Sequence, residues 1–167
     1  MQRFLVFLII PLLCFFLQSC GQSQKAQDKS ALSSQDPQLN RELGDLFMAK
    51  NKLKPGIVNT QTGLQYLVVR PGVGLPPKYN DLVTVYYQGA FINGKVFDAA
   101  HLQNAPVTIR ISAVIPGWQE ALMHMQPGAI WVLYVPPQLA YGDKGVPGVI
   151  PPNQTLVYTV NLVGYKS

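Results

Sequence analysis

Asp98 follows Phe97 directly inside NGKVFDAA, residues 93–100. A carboxylate in apolar surroundings has to find hydrogen-bond donors. Aromatic and aliphatic residues beside turns recur along the chain: Tyr87, Val114-Ile115, Trp118, Ala140-Tyr141-Gly142, Val149-Ile150-Pro151-Pro152 and Tyr158. Singly, each suits a core. Residues 137–152, rich in proline and glycine, form the kind of long loop that tends to carry function. Together these residues can supply an apolar pocket of rings with one carboxylate acceptor.

Other chemistries lack their residues. His101 and His124 have no ligand-like spacing to each other or to a carboxylate, and His124 is expected on the solvated side of a short helix. Ser112 has no His or Asp beside it for a hydrolase triad. Gly145-Val146-Pro147-Gly148 lacks the Lys-Ser/Thr of a phosphate loop. The two cysteines, Cys14 and Cys20, exclude a disulfide framework and a four-cysteine zinc site. Thirteen Lys and Arg against eight Asp and Glu are dispersed without a basic run, which argues against nucleic-acid binding.

The elements that must hold these residues are mostly strands. From Gly63 onward, alternation of period two predicts strands over 64–70, 82–91, 95–97, 107–111, 130–135 and 156–163. Asn93-Gly94 is a hairpin signal, because both residues tolerate positive φ. Residues 117–125 (GWQEALMHM) read as a short helix, with Trp118, Ala121, Leu122 and Met125 on one face. The expected fold is α+β: a five- to six-stranded antiparallel sheet curved around one short α-helix. Only 13% of residues are charged, about half the usual ~25%, which argues against a disordered chain.

Upstream, residues 38–55 read as a short amphipathic helix, with Leu39, Leu43, Leu46 and Phe47 at helical spacing and Pro55-Gly56 as its stop. Such a helix needs a partner surface, with its own domain as the default. Residues 20–37, rich in Ser, Gln, Lys and Asp, suit a flexible tether. Residues 4–17 hold no charge, and Arg3 precedes them. That run is short of the ~20 residues of a bilayer span but fits a signal-peptide core. Leu17-Gln18-Ser19-Cys20 resembles the bacterial lipobox. That resemblance implies a signal peptide over 1–19, lipidation of Cys20 and attachment to the cell envelope, with Gly21 favouring the outer membrane over the inner.

Four stretches carry a wider resemblance: VTVYYQG at 83–89, NGKVFDAA at 93–100, VIPGWQEAL at 114–122 and LAYGDKGVPGVIPPNQTLVYTVNLV at 139–163. Together they resemble the FKBP-type peptidyl-prolyl cis-trans isomerases, over roughly residues 62–165. Residues 49–58, 62–68 and 131–142 are similar to the bacterial macrophage-infectivity-potentiator branch. The isomerase domain is then expected over 56–167. Only about 35 residues separate Cys20 from Gly56, too few for that branch's long helical dimerisation domain, so a monomer is expected.

The resemblance also implies roles. Trp118 corresponds to the floor under the proline ring, and Tyr87, Phe97, Val114, Ile115 and Tyr158 to the walls. The Tyr141 hydroxyl and the Ile115 N–H correspond to donors to substrate carbonyls. Asp98 corresponds to an acceptor that orients polar groups, and residues 147–150, with Ile150, to a flap. No cofactor or metal is implied. Partners would be proline-containing exported polypeptides, and macrolides would be inhibitors. Val107 stands where many members carry a pocket Phe, Gln103 where an Arg reaches the acid, and Tyr158 where Phe is common.

Overall fold

The computed structural model describes residues 36–99 and 105–167. The expected signal peptide, Cys20, the tether as far as residue 35, His101 and Gln103 lie outside the described residues. In chain order the elements are α1 (Pro37–Asn51), β1 (Ile57–Asn59), β2 (Gln65–Arg70), β3 (Leu82–Phe91), β4 (Val96–Ala99), β5 (Val107–Arg110), α2 (Pro116–Leu122), β6 (Ile130–Val135) and β7 (Leu156–Lys166). Short 3-10 turns at Ile111–Ala113 and Pro137–Leu139 lead into α2 and out of β6.

Every strand pair is antiparallel, in the order β1-β2-β6-β7-β3-β4, and β5 also pairs with β3. β5 takes the first half of β3 and β4 the second, so both lie along the same edge. The sheet has seven strands where five or six are predicted. The addition is β1, whose three residues are too few to display an alternation. It exists through its pairing with β2.

Period two decides which side chains enter the core. Val83 and Val85 of β3, and Leu156, Tyr158, Val160 and Leu162 of β7, are buried. They meet Trp118, Ala121 and Leu122 of α2, with Met125 just beyond it. That spacing is the apolar stripe of a helix laid on a sheet. Each fully buried Val or Leu contributes about 1.5–3 kcal/mol. α2 ends at Leu122 rather than 125, and the rest of the predicted helix survives as a closing turn, in which the N–H groups of Met123 and Met125 bond the carbonyls of Gln119 (3.2 Å) and Ala121 (2.9 Å).

α1 begins where local chemistry dictates. The Asp36 carboxylate accepts from the N–H groups of Gln38 (2.9 Å) and Leu39 (3.2 Å), and Pro37 occupies the first helical position. The predicted stripe packs only in part: Leu39 and Phe47 are half-buried, with the Phe47 ring 5.9 Å from Tyr134. Asn40, Gly44 and Asn51 are buried, whereas Leu46 is 59% exposed. Gly44 lies so close to Thr155 that a Cβ there would collide with its side chain. Polar bonds then fasten the helix: Asn40 Nδ2 to the Pro152 carbonyl (2.9 Å), Asn51 Nδ2 to Gln65 Oε1 (2.9 Å) and Gln65 Nε2 to the Met48 carbonyl (3.0 Å).

Candidate active site

Four rings from distant parts of the chain meet on the concave side of the sheet: Tyr87 from β3, Phe97 from β4, Trp118 from α2 and Tyr158 from β7. Trp118 is 5% exposed. Tyr87 and Tyr158 lie 5.2 and 5.3 Å from it, at interplanar angles of 86° and 87°. Both ring planes are therefore perpendicular to the indole, in edge-to-face contact with it. Phe97 is perpendicular to Tyr158 at 5.8 Å and leans on Phe91 at 5.0 Å. Edge-to-face pairs of this kind contribute about 0.5–1.5 kcal/mol each beyond burial.

Gly89 makes this closure possible. It lies opposite Asp98 on one side and Tyr158 on the other. A Cβ at Gly89 would sit 2.7 Å from Phe97 Cζ and 2.8 Å from Tyr158 Cε1. Its role is absent from the sequence reading, although a glycine inside the alternation of residues 82–91 is a signal of close approach.

The polar groups gather at the rim. The Tyr87 hydroxyl donates to Asp98 Oδ2 at 2.6 Å, the short length of a charge-assisted bond. Asp98 itself is exposed on the edge strand β4, rather than buried as its apolar sequence neighbours suggest. Burial pushes the Tyr87 pKa above the ordinary tyrosine value, and the bond to Asp98 and its charge add to this. Tyr158 is pushed upward too, by burial first, then by Tyr141, with which it shares a hydrogen bond, and by Asp98 and Tyr87. Both hydroxyls stay protonated, and so remain donors, through neutral pH.

Val114 and Ile115 enter α2 half-buried against the core. Gln119 Nε2 donates to the Val114 carbonyl (2.8 Å), while the Ile115 carbonyl accepts from the N–H groups of Trp118 (2.9 Å) and Gln119 (3.1 Å). Trp118 Nε1 is buried with no partner among the described residues. Tyr141 is exposed at the head of the loop that follows β6. Further along that loop, Val146 and Ile150 exchange both backbone bonds (2.7 and 2.8 Å), leaving Pro147–Val149 as an exposed tip. Ile150 is 4% exposed and belongs to the core cluster. Val107 opens β5 opposite Val85, half-buried, and contributes an aliphatic surface rather than a ring. His124 is exposed. Among the described residues no three His, Cys, Asp or Glu side chains converge as a metal would need, and no helix is long and apolar enough to cross a membrane.

The family model for FKBP-type peptidyl-prolyl cis-trans isomerase matches residues 75–163, which hold all four rings and Asp98. The chain belongs to this family. The model for the domain amino-terminal to FKBP-type isomerases matches residues 16–68. Among FKBP-type relatives, the peptidyl-prolyl cis-trans isomerase Mip of Coxiella burnetii is 52% identical over 127 residues, covering 76% of this chain and 55% of that protein. The outer membrane protein MIP of Legionella longbeachae is 44% identical over 138 residues, covering 83% of this chain and 59% of that protein. The crystal structure of FkpA from Escherichia coli aligns with a TM-score of 0.76 at 41% identity, covering 87% of this chain and 69% of that one. The chain thus spans little more than half the length of the curated relatives it matches.

Proposed function

We propose that this chain catalyses cis–trans isomerisation of X-Pro bonds in exported polypeptides, from a position tethered to the cell envelope through lipid on Cys20. The observation that carries the catalytic reading is the cluster in which the Tyr87 and Tyr158 rings lie perpendicular to Trp118 with Asp98 bonded to Tyr87, which we read as an apolar trough. Rotating an amide costs about 18–20 kcal/mol because resonance is lost. Without help, an X-Pro bond takes tens to hundreds of seconds to turn.

A twisted amide has less charge separation than a planar one. An apolar trough therefore favours it over the planar ground state, which sits better in water, and only such differential binding speeds the reaction. In this reading Trp118 carries the proline ring, and Tyr87, Phe97, Val114, Ile115, Tyr158, Val107 and Ile150 enclose its surroundings. The Tyr141 hydroxyl and the Ile115 N–H hold substrate carbonyls. Asp98 fixes the Tyr87 hydroxyl by accepting its proton in a hydrogen bond, without taking it. Valine at position 107 widens the mouth of the trough relative to a phenylalanine.

Placement at the outer membrane draws support from the likeness to a relative that carries that location in its name, and from the Leu17–Cys20 pattern. Lipid adds about 0.8 kcal/mol of membrane affinity per buried CH₂. The decisive assay is isomerisation of a short X-Pro peptide by the purified chain, with and without a macrolide such as rapamycin. Saturable acceleration that the macrolide suppresses is expected. A rate equal to the uncatalysed one would overturn the catalytic reading, and acceleration indifferent to the macrolide would remove macrolides from its ligands.

A further inference from the structure

A second hollow, of about 610 Å³, lies outside the trough. Leu43 of α1 forms one wall, Phe91 and Lys95 of the β3–β4 hairpin another, and Lys144, Val149 and Pro151 of the loop after β6 a third. Tyr87, Asp98, Trp118 and Tyr158 are not among its lining residues. The two sites are nevertheless adjacent, because Phe91 lines the groove and touches Phe97 of the trough.

We propose that this groove is a second binding site for the client chain, taking an extended segment that pairs an apolar residue with a carboxylate. The inference rests on the isomerase reading, since the client is the polypeptide whose proline occupies the trough. The argument for an anionic client is charge. Lys95 and Lys144 both line the groove, no Asp or Glu does, and neither ammonium has a carboxylate partner among the described residues. The argument for an apolar residue is exposure: Leu43 and Val149 present apolar surface to the opening.

The groove is held in shape before anything binds. Asn40 Nδ2 donates to the Pro152 carbonyl (2.9 Å), Arg41 donates to Asn153 Oδ1 (2.9 Å), and Asn153 Nδ2 returns a bond to the Pro37 carbonyl (3.2 Å). These ties span more than a hundred residues of sequence and fix α1 against the end of the loop after β6. A pre-organised site loses less on binding, and the volume is within the range of about 300–1,000 Å³ typical of ligand pockets. A recessed floor suits a peptide rather than the flat surface of a bilayer. Two sites on one client act with an effective concentration on the order of millimolar, so the groove should lower KM and leave kcat alone.

The test uses the full chain and three labelled peptides: a short X-Pro peptide, one extended on either side of the proline by Leu and two Glu residues, and the same extension with Lys for Glu. Isomerisation kinetics and binding by fluorescence anisotropy are both read, with circular dichroism confirming folding of each variant. The expected result is a KM for the Glu-extended peptide about tenfold below that of the short one, lost in Lys95→Glu/Lys144→Glu and transferred there to the Lys-extended peptide. The short peptide should be turned over equally by both proteins. Equal KM for all three peptides in the wild type, or a Glu preference that survives the double substitution, would overturn the proposal. So would Lys95/Lys144-dependent binding to phosphatidylglycerol vesicles with peptide KM unchanged, which would assign the groove to a membrane. If the wild type turned over no peptide at all, the catalytic reading would fail, while the anisotropy preference for the Glu-extended peptide would still decide the groove.

Discussion

The aromatic trough and the seat of α1 are built on opposite principles. In the trough, Trp118, Tyr87, Tyr158 and Phe97 are held by ring against ring, with hydrogen bonds at the rim from Tyr87 to Asp98 and between Tyr158 and Tyr141. Under α1, one ring contact, Phe47 on Tyr134 at 5.9 Å, is joined by bonds of amide to amide and amide to carbonyl through Asn40, Asn51 and Gln65. The leucines of the helix point elsewhere, Leu46 at 59% and Leu53 beyond its end at 79% exposure. An apolar surface proposed to receive a proline ring has to stay dry and rigid, and rings supply both. A helix fixed at one angle and one depth is better specified by directional bonds, each of which fails if the helix slides.

Substitutions can break this contrast, beginning with the floor. Trp118→Ala removes a ring on which two others stand, and a loss of about 3–5 kcal/mol is expected in urea denaturation, together with loss of isomerase activity. A variant as stable as wild type would mean that the indole is not the foundation of the trough. Gly89→Ala drives a methyl group between Phe97 and Tyr158, and overpacking of this kind costs about 1–3 kcal/mol. Turnover should fall further than stability alone explains, since the rings that part are the walls. Undiminished kcat/KM in this variant would show that the wall spacing is irrelevant.

The helix seat should respond differently. Asn51→Ala leaves Gln65 Oε1 without its donor, and a loss of about 1–3 kcal/mol is expected with kcat/KM for a short peptide unchanged. An activity loss matching that of Gly89→Ala would erase the distinction between the two regions. Tyr141→Phe should fold normally and lose activity modestly, an effect read from kcat/KM. Leu46→Gln should alter stability by no more than about 0.5 kcal/mol, because the leucine it replaces is already in water.

Alkaline titration bears on the trough as well. Tyr87 and Tyr158 both have pKa values raised by burial, so folding favours their neutral forms. Their contribution is therefore complete below the ordinary tyrosine value of about 10 and is lost as pH climbs above it. Denaturation midpoints should stay level through neutral pH and decline only beyond that value. In Tyr158→Phe the alkaline decline should be shallower.

Much of the trough was legible in residue types alone. Alternation along residues 82–91 and 156–163 located the strands that carry Tyr87 and Tyr158, and the 118, 121, 122, 125 stripe located the helix that carries Trp118. Three things were hidden, each for a physical reason. β1 is defined by its partner strand and not by its own pattern. The packed face of α1 is largely polar, so a search for apolar periodicity finds Leu39 and Phe47, which are half-buried, but also the exposed Leu43 and Leu46, and misses Asn40 and Asn51. The groove beside the flap is assembled from residues of α1, the β3–β4 hairpin and the loop after β6, and no spacing in the chain announces their meeting.

The central claim is that an apolar trough lowers the energy of a rotated prolyl amide without proton transfer. Its most direct test is kcat/KM for a short X-Pro peptide, measured by NMR exchange in H₂O and D₂O from about pH 6 to about pH 9, a window in which Tyr87 and Tyr158, both raised by burial, stay protonated. Saturable catalysis, flat across that range and equal in the two solvents, is the predicted result. A titration within the window, or a rate markedly slower in D₂O, would contradict it.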